Sequence, residues 1–158
     1  YAGGFDTAWV DFTKGLGAPI GAVLVGSREL IDEAWRYKQM LGGAMRQAGV
    51  LAAACRFALR HHVERLADDH ANARRLAAGL AELPGIRLES PEVATNIVFF
   101  GIEKSGLDAR GFVERLAAHG VRMGAMGPRR VRAVTHLGVD AAGIERALSA
   151  VRAVLAEA

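Results

Sequence analysis

The stretch Thr7-Ala8-Trp9-Val10-Asp11-Phe12-Thr13-Lys14-Gly15-Leu16-Gly17-Ala18-Pro19, continued by Ile20 to Val25, decides the fold. Thr7 to Phe12 is β-branched and aromatic, the composition of a buried strand, and Gly15 and Gly17 close it. Ile20 to Val25, bounded by Pro19 and Gly26, reads as a second strand. Lys14 therefore stands where a strand ends, and ligands of α/β proteins gather at the carboxyl ends of strands. Between apolar strand and glycines its amine is expected to be partly desolvated, which suits Schiff-base chemistry. The plain alternative is a loop lysine with its head in water.

Working outward, Ser27 is an N-cap for a helix whose apolar face holds Leu30, Ile31, Ala34 and Trp35. Gly42 and Gly43 break it, and a second helix is expected from Arg46 to about Arg60. His62 to Leu83 reads as an amphipathic helix with Val63, Leu66, His70, Ala73, Leu76, Ala77 and Leu80 on one stripe. On that reading Asp68 and Asp69 belong to the solvated side. Ile86 to Glu89 and Asn96 to Ile102 are strand-like, and Asp108 caps a helix that stops at Gly120. Val121 to Ala125 and Arg130 to Leu137 are expected strands, and Asp140 caps a last helix. The chain thus reads as two pieces: the strand-and-helix end of one domain, residues 1–60, and a small α+β domain, residues 61–158, with helices on one face of its sheet.

The composition narrows the function classes. Of 158 residues 51% are hydrophobic and 23% charged, the balance of a globular chain and not of a disordered one. Net charge is +3, but the excess is scattered and aromatics are only 6%, so no nucleic-acid partner is expected. Apolar runs are too short for a membrane span and no leader is evident, and a single cysteine, Cys55, forms neither an internal disulfide nor a zinc site. Cytoplasmic residence and no metal are the expectations. The chain opens on Tyr1, which reads as the carboxy-terminal part of something longer.

Two further places are candidates for chemistry. In Leu41-Gly42-Gly43-Ala44-Met45-Arg46-Gln47 a glycine pair precedes a helix start, and Arg46 adds positive charge, an arrangement suited to phosphate. A helix–helix turn with a surface arginine is the simpler reading. In Arg130-Val131-Arg132-Ala133-Val134-Thr135-His136, alternation puts Arg130, Arg132 and Val134 on one face. Arg132 inside an apolar strand calls for a partner, either a protein carboxylate or a substrate's. Nucleotide motifs fail: Lys14 precedes its glycines, and Gly15, Gly17 and Gly21 are spaced GxGxxxG. The histidines show no compact metal spacing; His61 and His62 fall at a helix junction, and His136 at a strand end is either structural or substrate-facing.

Taken in order, these segments resemble the low-specificity L-threonine aldolases. Thr13-Lys14-Gly15-Leu16-Gly17-Ala18-Pro19-Ile20-Gly21 is similar to their Ser-Lys-Gly-Leu-Gly-Ala-Pro-Val-Gly, and Met40-Leu41-Gly42-Gly43-Ala44-Met45-Arg46-Gln47-Ala48-Gly49 to their Met-Leu-Gly-Gly-Gly-Met-Arg-Gln-Ala-Gly. Asp69-His70-Ala71-Asn72-Ala73 and Val131-Arg132-Ala133-Val134-Thr135-His136-Leu137 match later family segments. Departures are Thr13 for serine, Ala44 for the third glycine, and Lys38-Gln39 where the family carries Arg-Lys before Met40.

The resemblance implies an α/β fold: the carboxy-terminal part of the large domain of an aspartate-aminotransferase-like pyridoxal-phosphate enzyme, with a small α+β domain after it. It implies that Lys14 forms the Schiff base with pyridoxal 5'-phosphate. By the same likeness Arg46 reaches the cofactor phosphate from a neighbouring subunit, and Arg132 holds the substrate α-carboxylate. The expected reaction is cleavage of threonine, allo-threonine and similar β-hydroxy amino acids to glycine and an aldehyde. The expected assembly is a homo-oligomer, dimer or tetramer, with its site at the subunit interface. The family's amino-terminal half holds the ring that stacks on the cofactor and the aspartate that pairs with its pyridine nitrogen, so these 158 residues alone are expected to be inactive. A β-eliminating lyase of the same fold and a non-catalytic dimerisation module are the alternatives.

Overall fold

A computed structural model describes residues 2–157, in two compact units, Tyr1–Glu64 and Arg65–Ala158. In the first unit, β1 (Thr7–Asp11) and β2 (Ala22–Gly26) pair antiparallel, with Thr7 opposite Gly26 and Asp11 opposite Ala22. Helix α1 (Arg28–Met40) follows, and Ser27 caps it by accepting the Leu30 N–H at 3.2 Å. Helix α2 (Gly49–His61) starts three residues later than the sequence suggests. Residues 46–48 form a turn instead, with Gln47 in the left-handed region at φ 57°, and Ala48 has no side chain able to cap.

The strand pair is not buried as its composition implies. No residue of β1 or β2 is buried, and Trp9 is 66% exposed; burial begins just beyond, at Phe12. A two-stranded ribbon has two faces to cover, and among the described residues α1 is the helix packed on β2.

The second unit is a four-stranded antiparallel sheet, ordered β3 (Ile86–Leu88), β4 (Ile97–Ile102), β6 (Arg130–Val134), β5 (Gly124–Ala125). Helices α3 (Leu66–Ala81), α4 (Ala109–Ala118) and α5 (Ala141–Ala156) cover one face. Period-2 alternation sends Val98, Phe100 and Ile102 of β4, and Val131 and Ala133 of β6, into the core with Leu80, Phe112, Leu116, Val151 and Val154. Phe100 meets Phe112 edge to face at 6.0 Å. Asp108 and Asp140 cap α4 and α5 by accepting the N–H groups of Gly111 and Gly143.

In the second unit three more boundaries differ clearly from the sequence reading, each for a local reason. Helix α3 begins at Leu66 rather than His62, and no side chain caps it. Val121 donates its N–H to Leu116 O, closing the end of α4 at Gly120 (φ 74°), so the strand expected over 121–125 shrinks to Gly124 and Ala125. Strand β6 ends at Val134 because residues 136–139 fold into a turn, Val139 N–H bonding His136 O and Gly138 N–H bonding His136 Nδ1. Asp69 also departs from the expected solvated side: it is fully buried, paired with Arg65 one turn earlier.

Candidate active site

Lys14 lies in the loop from β1 to β2. Gly17 N–H bonds Lys14 O at 2.9 Å, closing a turn over Lys14-Gly15-Leu16-Gly17, and Gly17 takes φ +68°, which glycine adopts without strain. The base of the loop is tied by Phe12 N–H to Gly21 O at 2.9 Å and Ala18 N–H to Phe12 O at 2.8 Å. Phe12, Leu16 and Ala18 are buried, so the loop is anchored through its apolar residues while Lys14 faces outward.

The desolvation expected at Lys14 is absent. Its side chain is 76% exposed, with Nζ 3.5 Å from Asp11 Oδ2. Asp11 in turn accepts from the Thr13 hydroxyl at 2.5 Å and the Thr13 N–H at 2.8 Å. These bonds, chiefly the hydroxyl's, hold the Asp11 carboxyl below the usual carboxylate range, with Lys14 adding to the effect. Asp11 is thus a neighbour of Lys14 that the sequence reading missed; its i, i+3 spacing was the available signal. The other lysines are engaged elsewhere: Lys38 Nζ lies over Trp35 at 4.9 Å, and Lys104 Nζ donates to Leu155 O at 3.1 Å.

Arg46 is exposed, in the turn before α2. The start of α2 has no side-chain cap, so a helix N-terminus and a guanidinium occur close together in sequence, the pairing that suits an anion. The opposite end of α2 meets the Lys14 loop: His62 Nδ1 lies 2.6 Å from Leu16 O, and Cys55 Sγ lies 3.2 Å from Ile20 O. Gly49 to His62 spans roughly 20 Å at the helical rise.

Arg132 sits in the second unit on the sheet face away from the helices. Its neighbours across the ladder are Phe99 on β4 and Gly124 on β5, and a side chain at Gly124 would meet nothing nearer than Arg132 O at 3.8 Å. Two residues earlier on the same face, Arg130 is satisfied: Glu89 accepts from its Nε at 2.6 Å and its Nη2 at 2.9 Å, and the guanidinium lies 4.2 Å over the Phe99 ring. That bidentate pair raises Arg130 and holds the Glu89 carboxyl below its usual range. Among the described residues no carboxylate pairs with Arg132, so the protein partner that a strand arginine calls for is not supplied from within. A cleft of about 230 Å³ is lined by Ala133, Val134, Thr135, Ile144 and Arg146 among others, and Arg132 is not part of its lining.

The histidines settle into local work. His61 packs its ring on Phe57 at 4.4 Å, His119 lies 3.8 Å from Glu157, and His136 Nδ1 accepts within its own turn. Among the described residues no three metal-ligating side chains cluster, and no helix is long and apolar enough to cross a membrane. Lys14 and Arg46 belong to the first unit and Arg132 to the second.

The fold and these residues together define a class. Over 95% of its length the chain superimposes, with a TM-score of 0.76 and 18% identity, on 45% of a provisionally assigned L-allo-threonine aldolase from Listeria monocytogenes EGD-E, which establishes the α/β fold. Residues 1–103 match the Beta-eliminating lyase family, and the chain belongs to that family. It is 38% identical over 145 residues to low-specificity L-threonine aldolase 1 of Arabidopsis thaliana, covering 91% of this chain and 40% of that protein. It is 39% identical over 135 residues to the low specificity L-threonine aldolase of Escherichia coli K12, covering 85% and 38%. The chain therefore spans about two fifths of the length of these curated relatives.

Proposed function

We propose that the chain is part of a pyridoxal-phosphate-dependent L-threonine aldolase, cleaving threonine, allo-threonine and related β-hydroxy amino acids to glycine and an aldehyde. The observation that carries this reading is 38% identity, across most of the chain, to an L-threonine aldolase, joined to Arg132 on an open sheet face, where no carboxylate among the described residues pairs with it. The donor set fits the group: a primary amine in a glycine turn for the cofactor aldehyde, a guanidinium at an uncapped helix start for its phosphate, and a second guanidinium for the substrate.

In this reading residues 1–60 end the cofactor-binding large domain and residues 61–158 form the small one. Lys14 holds the cofactor through its amine. Bound there, pyridoxal phosphate supplies the electron sink that takes up the pair released when the Cα–Cβ bond breaks. Asp11, whose Oδ2 lies 3.5 Å from Lys14 Nζ, helps to place the lysine side chain at the end of its turn. Arg132 grips the α-carboxylate, and by fixing it decides which bond at Cα is presented for cleavage. Across the ladder Arg132 stands opposite Phe99 on one side and Gly124 on the other, so no side chain faces it from β5.

Arg46 takes the phosphate of a neighbouring subunit's site, in a homo-oligomer. The layout of α2 supports this, since Arg46 stands in the turn before its start while His62, at its far end, is tied to the Lys14 loop. Cytoplasmic residence accompanies the reading. Product analysis tests it: the full-length protein given L-threonine yields glycine and acetaldehyde in equal amounts. A keto acid with ammonia would instead assign it to β-elimination.

A further inference from the structure

We propose that His62 is the positioning residue for Lys14, fixing the turn that presents the lysine amine to the cofactor. The inference rests on the reading of Lys14 as the cofactor lysine. Leu16 O can only accept, so the 2.6 Å contact requires the proton on His62 Nδ1. That carbonyl belongs to the third residue of the Lys14–Gly17 turn, whose first carbonyl, Lys14 O, is already held by Gly17 N–H. With both carbonyls tied, the peptide units on either side of Gly15 and Leu16 are restrained from rotating.

The clamp is built into one face of α2. Cys55, Ala58 and His62 fall at i, i+3 and i+7, so they line a single helical stripe. Ala58 is buried, Cys55 reaches Ile20 O, and His62 reaches Leu16 O. The two bonds grip the loop on the carboxyl side of Lys14, at residues 46 and 35 positions distant in sequence. Phe57 closes over the imidazole edge-on at 5.5 Å, which restrains the ring. His62 is the C-cap of α2, at φ −111° and ψ −10°, and its own N–H bonds Ala58 O, so the helix end fixes the backbone that carries the imidazole.

Asparagine and aspartate at position 62 have the same shape, and an asparagine amide nitrogen overlays imidazole Nδ1, so the pair separates a donor from an acceptor. The experiment uses full-length protein: His62→Asn and His62→Asp are titrated with pyridoxal phosphate, reduced with borohydride and peptide-mapped for phosphopyridoxyl-Lys14. Labelling of Lys14 in the wild type at low cofactor, retained in His62→Asn and shifted to roughly tenfold higher cofactor in His62→Asp, is the expected result. Melting curves accompany each variant; should His62→Asp fail to fold, His62→Ala replaces it and is expected to show the same shift. Equal labelling of Lys14 in wild type, Asn and Asp (or Ala) would overturn the positioning role. A wild type labelled on another lysine would overturn the assignment of Lys14 itself, and the positioning role with it.

Discussion

An aspartate with no exposed surface has to hold its charge against something, and at Asp69 that is the Arg65 guanidinium one turn earlier on the chain. Its backbone carbonyl also accepts from the Thr135 hydroxyl at 2.7 Å, which ties α3 to the end of β6, the strand that carries Arg132. Removing one partner of a buried pair strands the other, at about 3–5 kcal/mol, so Asp69→Ala is expected to lower unfolding free energy by that order in urea titrations. Arg65→Met with Asp69→Leu together should lose far less. Glu89 gives a pH prediction. Arg130 holds its carboxyl below the usual range, so the pair's stabilisation is present above the unfolded-state value and is lost as pH falls through the lower folded one. In an NMR titration the Glu89 carboxyl should titrate below a free glutamate, and Arg130→Gln should return it. At this scale the alternation of Arg130 and Arg132 was legible from the sequence, since period 2 is intrinsic to a strand. The buried Asp69 was not, because helical spacing places Asp69 beside His70 at the margin of the stripe and only packing decides which turns inward.

Among the elements, those with side-chain caps were placed closely by sequence, and those without were not. Ser27, Asp108 and Asp140 mark the starts of α1, α4 and α5, and each accepts the expected N–H. Helices α2 and α3 have no such cap, and their starts slipped by three and four residues. The burial of β1 was misread for a different reason: apolar composition reports what a strand prefers, not which neighbour covers it. The loop between β1 and β2 depends on Gly21, which holds φ +124° with its Hα side 2.7 Å from Cys55 Sγ for any added Cβ. Gly21→Ala is therefore both strained and overpacked, and should cost about 1–3 kcal/mol. Hydrogen exchange should show it as lost protection at Phe12 and Gly17, with Gly21→Ala/Cys55→Ala recovering only the packing part.

At the scale of the molecule, the apolar core lies in the second unit, where Leu80, Phe100, Phe112, Leu116 and Val151 close on one another. In the first unit Trp9, Val25, Trp35 and Phe57 stay exposed. Residues 65–158 expressed alone should therefore melt cooperatively by calorimetry, while residues 1–64 alone should not. The order of motifs along the chain was legible, since it survives in any linear reading; the two ties from α2 to the Lys14 loop were not, because they join residues far apart in sequence. Everything proposed for catalysis passes through Lys14, so the direct test is to reduce the full-length protein with borohydride in the presence of pyridoxal phosphate and map the modified peptide. The account predicts one phosphopyridoxyl group per chain, on Lys14. Modification of Lys38, Lys104 or any other lysine in its place, with Lys14 untouched, would contradict it.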